Sequence, residues 1–123
     1  IEFEATLCDD LVDVWVRDGP SLQAAFSNLV LNAMHEGSRV SVECNVQEET
    51  MAVLTVIDNG SGPSNEVAEE IFEPFVTSKP EGLGLGLPLV ARCARRLGGE
   101  VQWDRFDSQT RFCFRFKVSP HSP

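Results

Sequence analysis

The chain has 123 residues, 42% hydrophobic and 24% charged, proportions that fit one soluble domain burying roughly two thirds of its unfolded surface. A formal charge of -9 and a pI near 4.6 argue against a nucleic-acid partner, which is gripped mainly through clustered Lys and Arg. No apolar run approaches the roughly 20 residues of a membrane span. Four scattered cysteines without Cys-x-x-Cys spacing and only two histidines suggest neither a zinc ribbon, a redox dithiol nor a histidine-rich metal site.

Ile1, Phe3, Ala5 and Leu7 alternate with polar residues, as do Val12, Val14 and Val16, so two half-buried strands are expected at the start, paired as a hairpin. No targeting segment is visible before them, and the chain is expected to be a piece of something longer. After the turn signal Asp18-Gly19-Pro20 the period changes. Leu22, Phe26, Leu29, Val30 and Ala33 fall at helical spacing, Pro20 or Ser21 opens the first turn, and Gly37 ends the helix.

Val40, Val42, Cys44 and Val46 alternate as a strand, and 51–57 is a nearly continuous apolar run suited to the centre of a sheet. Residues 60–86 are rich in Gly, Pro, Ser and Glu, with a short helical possibility around 66–72. A loop this long inside a small domain is functional in most cases, and it reads as a lid. The spacing predicts a second helix over 87–97, closed by Gly98-Gly99, with Leu89, Val90, Cys93, Ala94 and Leu97 as its apolar stripe. Two strands follow, 100–106 and 110–118, joined by Asp107-Ser108-Gln109, with Phe112, Phe114 and Phe116 on one side. Helices on one face of an antiparallel or mixed sheet are implied. The strand order is not readable.

Three groups of residues can carry chemistry. Asn28 and Asn32 lie one turn apart on the first helix, so their amides share a side; they fit either two exposed asparagines or neutral oxygen ligands for a magnesium ion that arrives with phosphate. Asp58 ends a buried strand just before Gly60 and Gly62, which fits either an Asp-Asn-Gly turn or a carboxylate that accepts a hydrogen bond from an exocyclic amine such as that of adenine. The run Gly82-Leu83-Gly84-Leu85-Gly86-Leu87 lacks the Gly-Lys-Ser/Thr ending of a P-loop and the third glycine of a dinucleotide fingerprint. It enters a helix, whose first amides suit phosphate; a plain glycine hinge is the alternative.

Taken in order and spacing, Asn28-Leu-Val-Leu-Asn32-Ala, Asp58-x-Gly60-x-Gly62, Ile71-Phe-Glu-Pro-Phe75, Thr77-Ser-Lys79-Pro and Gly82-x-Gly84-Leu85-Gly86-Leu87 resemble the ATP-binding catalytic domain of sensor histidine kinases. The approach through Lys79-Pro80-Glu81-Gly82 is most similar to the nitrogen-regulation type with a compact lid. The resemblance covers nearly the whole chain, 1–123, and implies a two-layer α/β sandwich of the Bergerat type, a mixed, mostly antiparallel sheet with helices on one face. That fold is shared with gyrase, mismatch-repair and heat-shock chaperone ATPases.

Carried over by position, the resemblance implies that Asn32 ligates Mg2+ with Asn28 assisting. Asp58 would hold the adenine amino group, Gly60 and Gly62 would shape its pocket, and Gly82, Gly84, Gly86 and Leu87 would line the phosphates across a lid of about 60–86. Lys79 is either a phosphate partner as a point charge or an exposed lid lysine, and Thr110, in a Thr-x-Phe pattern, resembles the threonine that supports the adenine-binding aspartate. Gln109 stands where the family often has glycine, and His35 where some members carry a phosphate-facing lysine; an ordinary surface histidine is the reading for His35. Phe72 and Phe75 are expected to pin the lid to the body.

The partners implied are ATP, a separate dimerisation and phosphoacceptor histidine domain, and through it a response regulator, in a cytoplasmic setting without nucleic acid or direct membrane contact. His35-Glu36 mimics the acceptor pair of that separate domain only superficially. Two other readings stay open: an ATPase of the same superfamily, disfavoured because those relatives place a glutamate base at the position of Asn28, and a degenerate docking module, which would bind no nucleotide.

Overall fold

The computed structural model describes residues 2–7, 15–47, 50–64, 68–73 and 86–119. These form strands β1 (Glu2–Leu7), β2 (Arg39–Gln47), β3 (Met51–Asp58), β4 (Val101–Phe106) and β5 (Gln109–Lys117), with helices α1 (Gly19–Glu36) and α2 (Gly86–Arg96). The five strands make one sheet in the order β1-β2-β3-β5-β4, parallel only between β1 and β2. The apolar run read as a central strand, β3, is indeed central.

The sheet has one wet face and one dry face because alternation in its three middle strands falls into register. Val42, Val56 and Phe112 stand side by side across β2, β3 and β5, as do Cys44, Leu54 and Phe114, and all are buried. Ala25, Leu29 and Ala33 of α1 and Val90, Cys93 and Ala94 of α2 close over that face in the same core cluster. Phe112 makes a T-shaped contact with Phe72, centroids 6.3 Å apart, which fastens residues 68–73 to the body; Ile71 beside it is 5% exposed. Phe75, the other expected pin, lies outside the described residues.

Four local expectations are corrected. β1 pairs in parallel with β2, Phe3 opposite Val40, because the chain between them contains the crossover helix α1 that a parallel pair requires. Residues 8–14 lie outside the described residues, and Trp15 bridges Ser119. Helix packing falls on β2, β3, β4 and β5, so Phe3 stays 53% exposed on an edge strand rather than half-buried. Phe26 and Leu89, expected in the helix stripes, are 37% and 36% exposed, while Ala25 and Val90 beside them lie in the core cluster. Residues 68–73 are turns, not helix.

The caps follow from composition. Asp18 accepts from the Ser21 backbone N–H at 3.1 Å and from its hydroxyl at 2.6 Å, satisfying an amide that the first helical turn leaves open. At the far end of α2 the Gly98 N–H donates to Arg95 O and the Gly99 N–H to Ala94 O, with Gly98 at φ +77°, a Schellman closure. Arg96 reaches Asp18 across the two helices at 3.5 Å.

The Ser21 hydroxyl, and then its N–H, hold the Asp18 carboxyl below the usual range, and the Arg111 guanidinium does the same for Asp104. Carboxylates depressed on folding stabilise fully above their unfolded value of about 3.9 and lose that contribution as pH falls through the lower folded value. Thermal melts between about pH 6 and 3 should therefore fall less steeply for the Asp18→Asn, Asp104→Asn double variant than for the parent chain. An equal or steeper fall contradicts the assignment.

Candidate functional site

The end of β3 and the C-terminal end of α1 are brought together by the connection between α1 and β2. Asn59, just past β3, accepts from the Ser38 and Arg39 amides through Oδ1 at 2.9 and 3.0 Å and donates to Ser38 Oγ at 3.2 Å. This side chain ties the turn that follows Asp58 to the chain leaving α1. Sequence reasoning passed over it as the middle residue of a turn.

Asp58 is 1% exposed and accepts the Gly60 N–H on Oδ1 at 2.8 Å. The bond from Gly60 lets the turn itself hold the side chain in place. Thr110, also 1% exposed, lies directly opposite Asp58 in the β3–β5 register. The two are the buried polar residues of the dry face among the described residues, at one end of an otherwise apolar layer.

Gly60 and Gly62 shape the same corner. A Cβ on Gly60 would run into the Glu36 carbonyl oxygen, with its carbon at 2.7 Å and Asp58 Oδ1 at 2.9 Å. Gly62 has φ +80°, and a Cβ there would stand 3.0 Å from Thr110 Oγ1 and from Arg105 Cδ. The backbone passes so near its neighbours that only hydrogen fits at the first, and the second adopts a conformation that side chains rarely take.

On α1 the Asn28 side-chain amide donates to Ala24 O at 2.8 Å. Its nitrogen is thereby committed, and its oxygen is directed to the start of α2, 3.2 Å from where a Gly86 Cβ would be. Asn32 is half-buried one turn further along. Asn28, Asn32 and Glu36 recur every fourth residue, so one side of α1 runs from the first residue of α2 to the Asp58–Gly62 turn, about 12 Å by helix rise. Leu87 is half-buried against the core, and Gly86 is exposed at the first position of α2.

The structure therefore brings Asp58, Gly60, Gly62 and Thr110 together at one corner and Asn28 beside Gly86 at the start of α2, with Asn32 one turn from Asn28 on the same side of α1 and Leu87 packed against the core. Lys79, Gly82 and Gly84 lie outside the described residues, as do 74–85 as a whole. His35 is exposed on α1. Among the described residues no cluster of His, Cys, Asp or Glu is arranged to hold a metal, and no helix is long and apolar enough to cross a membrane.

The β4–β5 turn differs from expectation. It consists of Asp107 and Ser108 alone, both at positive φ, 51° and 62°, the geometry favoured by two-residue hairpins. Gln109 belongs to β5, opposite Phe106. The shorter turn sets Arg105 opposite Thr110, and Arg105 Nη1 donates to Thr110 Oγ1 at 2.7 Å and to Gly60 O at 2.5 Å. Arg105 was missed because a three-residue turn puts β4 out of step by one; the strand alternation Val101, Trp103, Arg105 on the dry face was the signal that could have found it.

A five-stranded mixed sheet, two helices on its dry face and a polar corner at the end of the central strand define a two-layer ATPase fold. The family of histidine kinase-, DNA gyrase B-, and HSP90-like ATPases matches residues 17–120, and the chain belongs to that family. It is 37% identical over 101 residues to the C4-dicarboxylate transport sensor protein DctB of Rhizobium meliloti, covering 78% of this chain and 16% of that protein. It is also 35% identical over 88 residues to the sensor histidine kinase ZraS of Salmonella typhimurium, covering 69% and 19%. The chain thus spans less than a quarter of the length of either.

Among solved structures, the mycobacterial sensor histidine kinase MprB superposes with a TM-score of 0.83 at 26% identity, over 98% of this chain and 85% of that one. Full-length ShkA in complex with AMPPNP superposes at 0.80 and 22% identity, over 99% and 26%, and shows the fold alone. The sandwich implied by the sequence resemblance is the fold observed, in a domain homologous to those of two-component sensor kinases.

Proposed function

We propose that this domain binds Mg-ATP across the side of α1 bounded by Asp58 and Gly86, and donates the γ-phosphoryl group to a histidine on a separate dimeric helical domain of a sensor kinase. The observation that carries the reading is the buried carboxylate of Asp58 at the mouth of a turn whose glycines leave no room for a Cβ. A carboxylate only accepts, so an adenine amino group satisfies it where a keto oxygen does not. ShkA, a protein of the same fold, is solved in complex with AMPPNP, which agrees with a nucleotide as the kind of ligand.

The donor set on α1 fits a magnesium ion held together with phosphate. Asn28 has its nitrogen engaged by Ala24 O, which leaves a hard, neutral oxygen outward, and Asn32 adds a second amide one turn on. Magnesium with nucleotide keeps several waters and takes few protein ligands. Bound there, it would neutralise charge on the phosphates during transfer.

The residues of this chain then act by placement. Asp58, Gly60, Gly62 and Thr110 would fix the base, Asn28 and Asn32 would hold the ion at the phosphate end, and Lys79, Gly82, Gly84, Gly86 and Leu87 would face the phosphates, with a lid of about 60–86 over the site. Phosphoryl transfer asks for little covalent chemistry from the protein, so aligning donor and acceptor supplies much of the catalysis. Asn28 takes up no proton, unlike a glutamate at that position, which disfavours activation of water and hydrolysis.

The acceptor histidine and the response regulator that it serves lie on other domains, and the setting is cytoplasmic. Incubation of the isolated chain with γ-labelled ATP and magnesium should leave the chain unlabelled, while addition of a dimeric acceptor domain from its own kinase should label that domain. Label on the isolated chain, or rapid release of phosphate that survives Asn28→Ala, contradicts the proposal.

A further inference from the structure

The row of the sheet that holds Asp58 continues to the edge. The β3–β5 pairing sets Asp58 against Thr110, and the β4–β5 pairing sets Thr110 against Arg105, so the three side chains rise from one face of adjacent strands. Arg105, at the exposed end, turns back over the row. Its Nη1 donates to both Thr110 Oγ1 and Gly60 O, and its stem lies over Gly62, with Nε 3.5 Å from where a Cβ would be.

One nitrogen thereby joins a strand to a loop. A guanidinium only donates, so Thr110 Oγ1 is the acceptor in this contact and its hydroxyl hydrogen is directed elsewhere. Gly60 and Gly62 are the residues of the turn with most conformational freedom, and that freedom is lost when a ligand orders them.

We infer that Arg105 is a positioning residue that clamps the Asp58–Gly62 turn against Thr110 and so preorganises the wall on which the purine base is held. The role rests on the nucleotide-binding reading above and assigns it a determinant outside the glycine and asparagine motifs. Because the contact is on the base side, it strengthens ADP and ATP alike. Its exposure keeps the effect moderate, roughly three- to tenfold in affinity, as for charged contacts open to water.

The test is calorimetric titration of the parent chain, Arg105→Met and Arg105→Lys with ADP and with a non-hydrolysable ATP analogue, in magnesium, at a temperature where circular dichroism shows every variant folded. Arg105→Met keeps the stem over Gly62 and removes the donors; its affinity should fall about fivefold for both ligands. Arg105→Lys, whose ammonium can serve both acceptors from one nitrogen, should recover part of the loss. Unchanged affinity in Arg105→Met overturns the clamp, and tighter binding overturns it by showing that the guanidinium occupies space that the base needs. A loss confined to the triphosphate analogue also overturns it. Asp58→Asn, run alongside, separates the two claims: if it binds as the parent does, the nucleotide reading has failed whatever Arg105 does.

Discussion

Replacing Asp58 with Asn is expected to abolish nucleotide binding while leaving the fold intact. The side chain is 1% exposed and its Oδ1 accepts the Gly60 N–H, a bond that an amide oxygen can still receive. Only the charge and the second acceptor oxygen are lost, and the NH2 that replaces that oxygen would face an adenine amino group donor to donor. An unmade buried charged hydrogen bond costs on the order of 1.5 to 3 kcal/mol, and the clash of donors adds to it, so affinity for an ATP analogue should fall at least about a hundredfold. Thermal melting within a few degrees of the parent, with no heat of binding, is the expected pair of results. Wild-type affinity in the variant would remove the carboxylate from the site.

Gly60→Ala should damage both binding and stability. The added methyl group runs into the Glu36 carbonyl oxygen and lies 2.9 Å from Asp58 Oδ1, and the backbone atoms of α1 cannot swing aside as a flexible side chain would. Overpacking of this kind costs about 1 to 3 kcal/mol, a fall in Tm of roughly 4 to 12 °C for a domain this size. Displacing the turn also moves Asp58 from its place. The comparison is with Gly19→Ala, where nothing stands within 4 Å of the new atom and little change is expected. Equal melting temperatures for the two variants would show that the turn yields more easily than its packing implies.

How much of this was legible in the sequence depended on the range of the interaction that decides each feature. The alternation of Val40, Val42 and Cys44, the apolar run before Asp58 and the stripe of Phe112, Phe114 and Phe116 specify strands locally, and each appears as a strand with the expected face buried. The helix boundaries were legible too, because Asp18, Pro20 and Gly98 act within one turn. Partner choice was not. Whether β1 folds back on its successor or crosses over α1 to pair with β2 is decided by packing across the domain, and the alternation of Phe3 and Ala5 is the same in either case.

The candidate site shows the same division. Asn28, Asn32, Asp58, Gly60 and Gly62 stand out because their types and spacing are unusual, and the fold brings them to one side of α1. Arg105 and Asn59 carry no such mark. Arg105 reaches Gly60 only because a two-residue turn fixes the β4–β5 register, and Asn59 ties two loops 20 residues apart. A register shift of one residue sends a side chain to the other face, so a turn misjudged by one position hides a contact altogether.

The most direct measurement is a crystal structure of this domain with a non-hydrolysable ATP analogue and magnesium. The account predicts the adenine amino group within hydrogen-bond distance of Asp58, the base against Gly60 and Gly62, and the ion bound through the side-chain oxygens of Asn32 and Asn28. A nucleotide seated away from Asp58, or an ion held with neither asparagine, would contradict it.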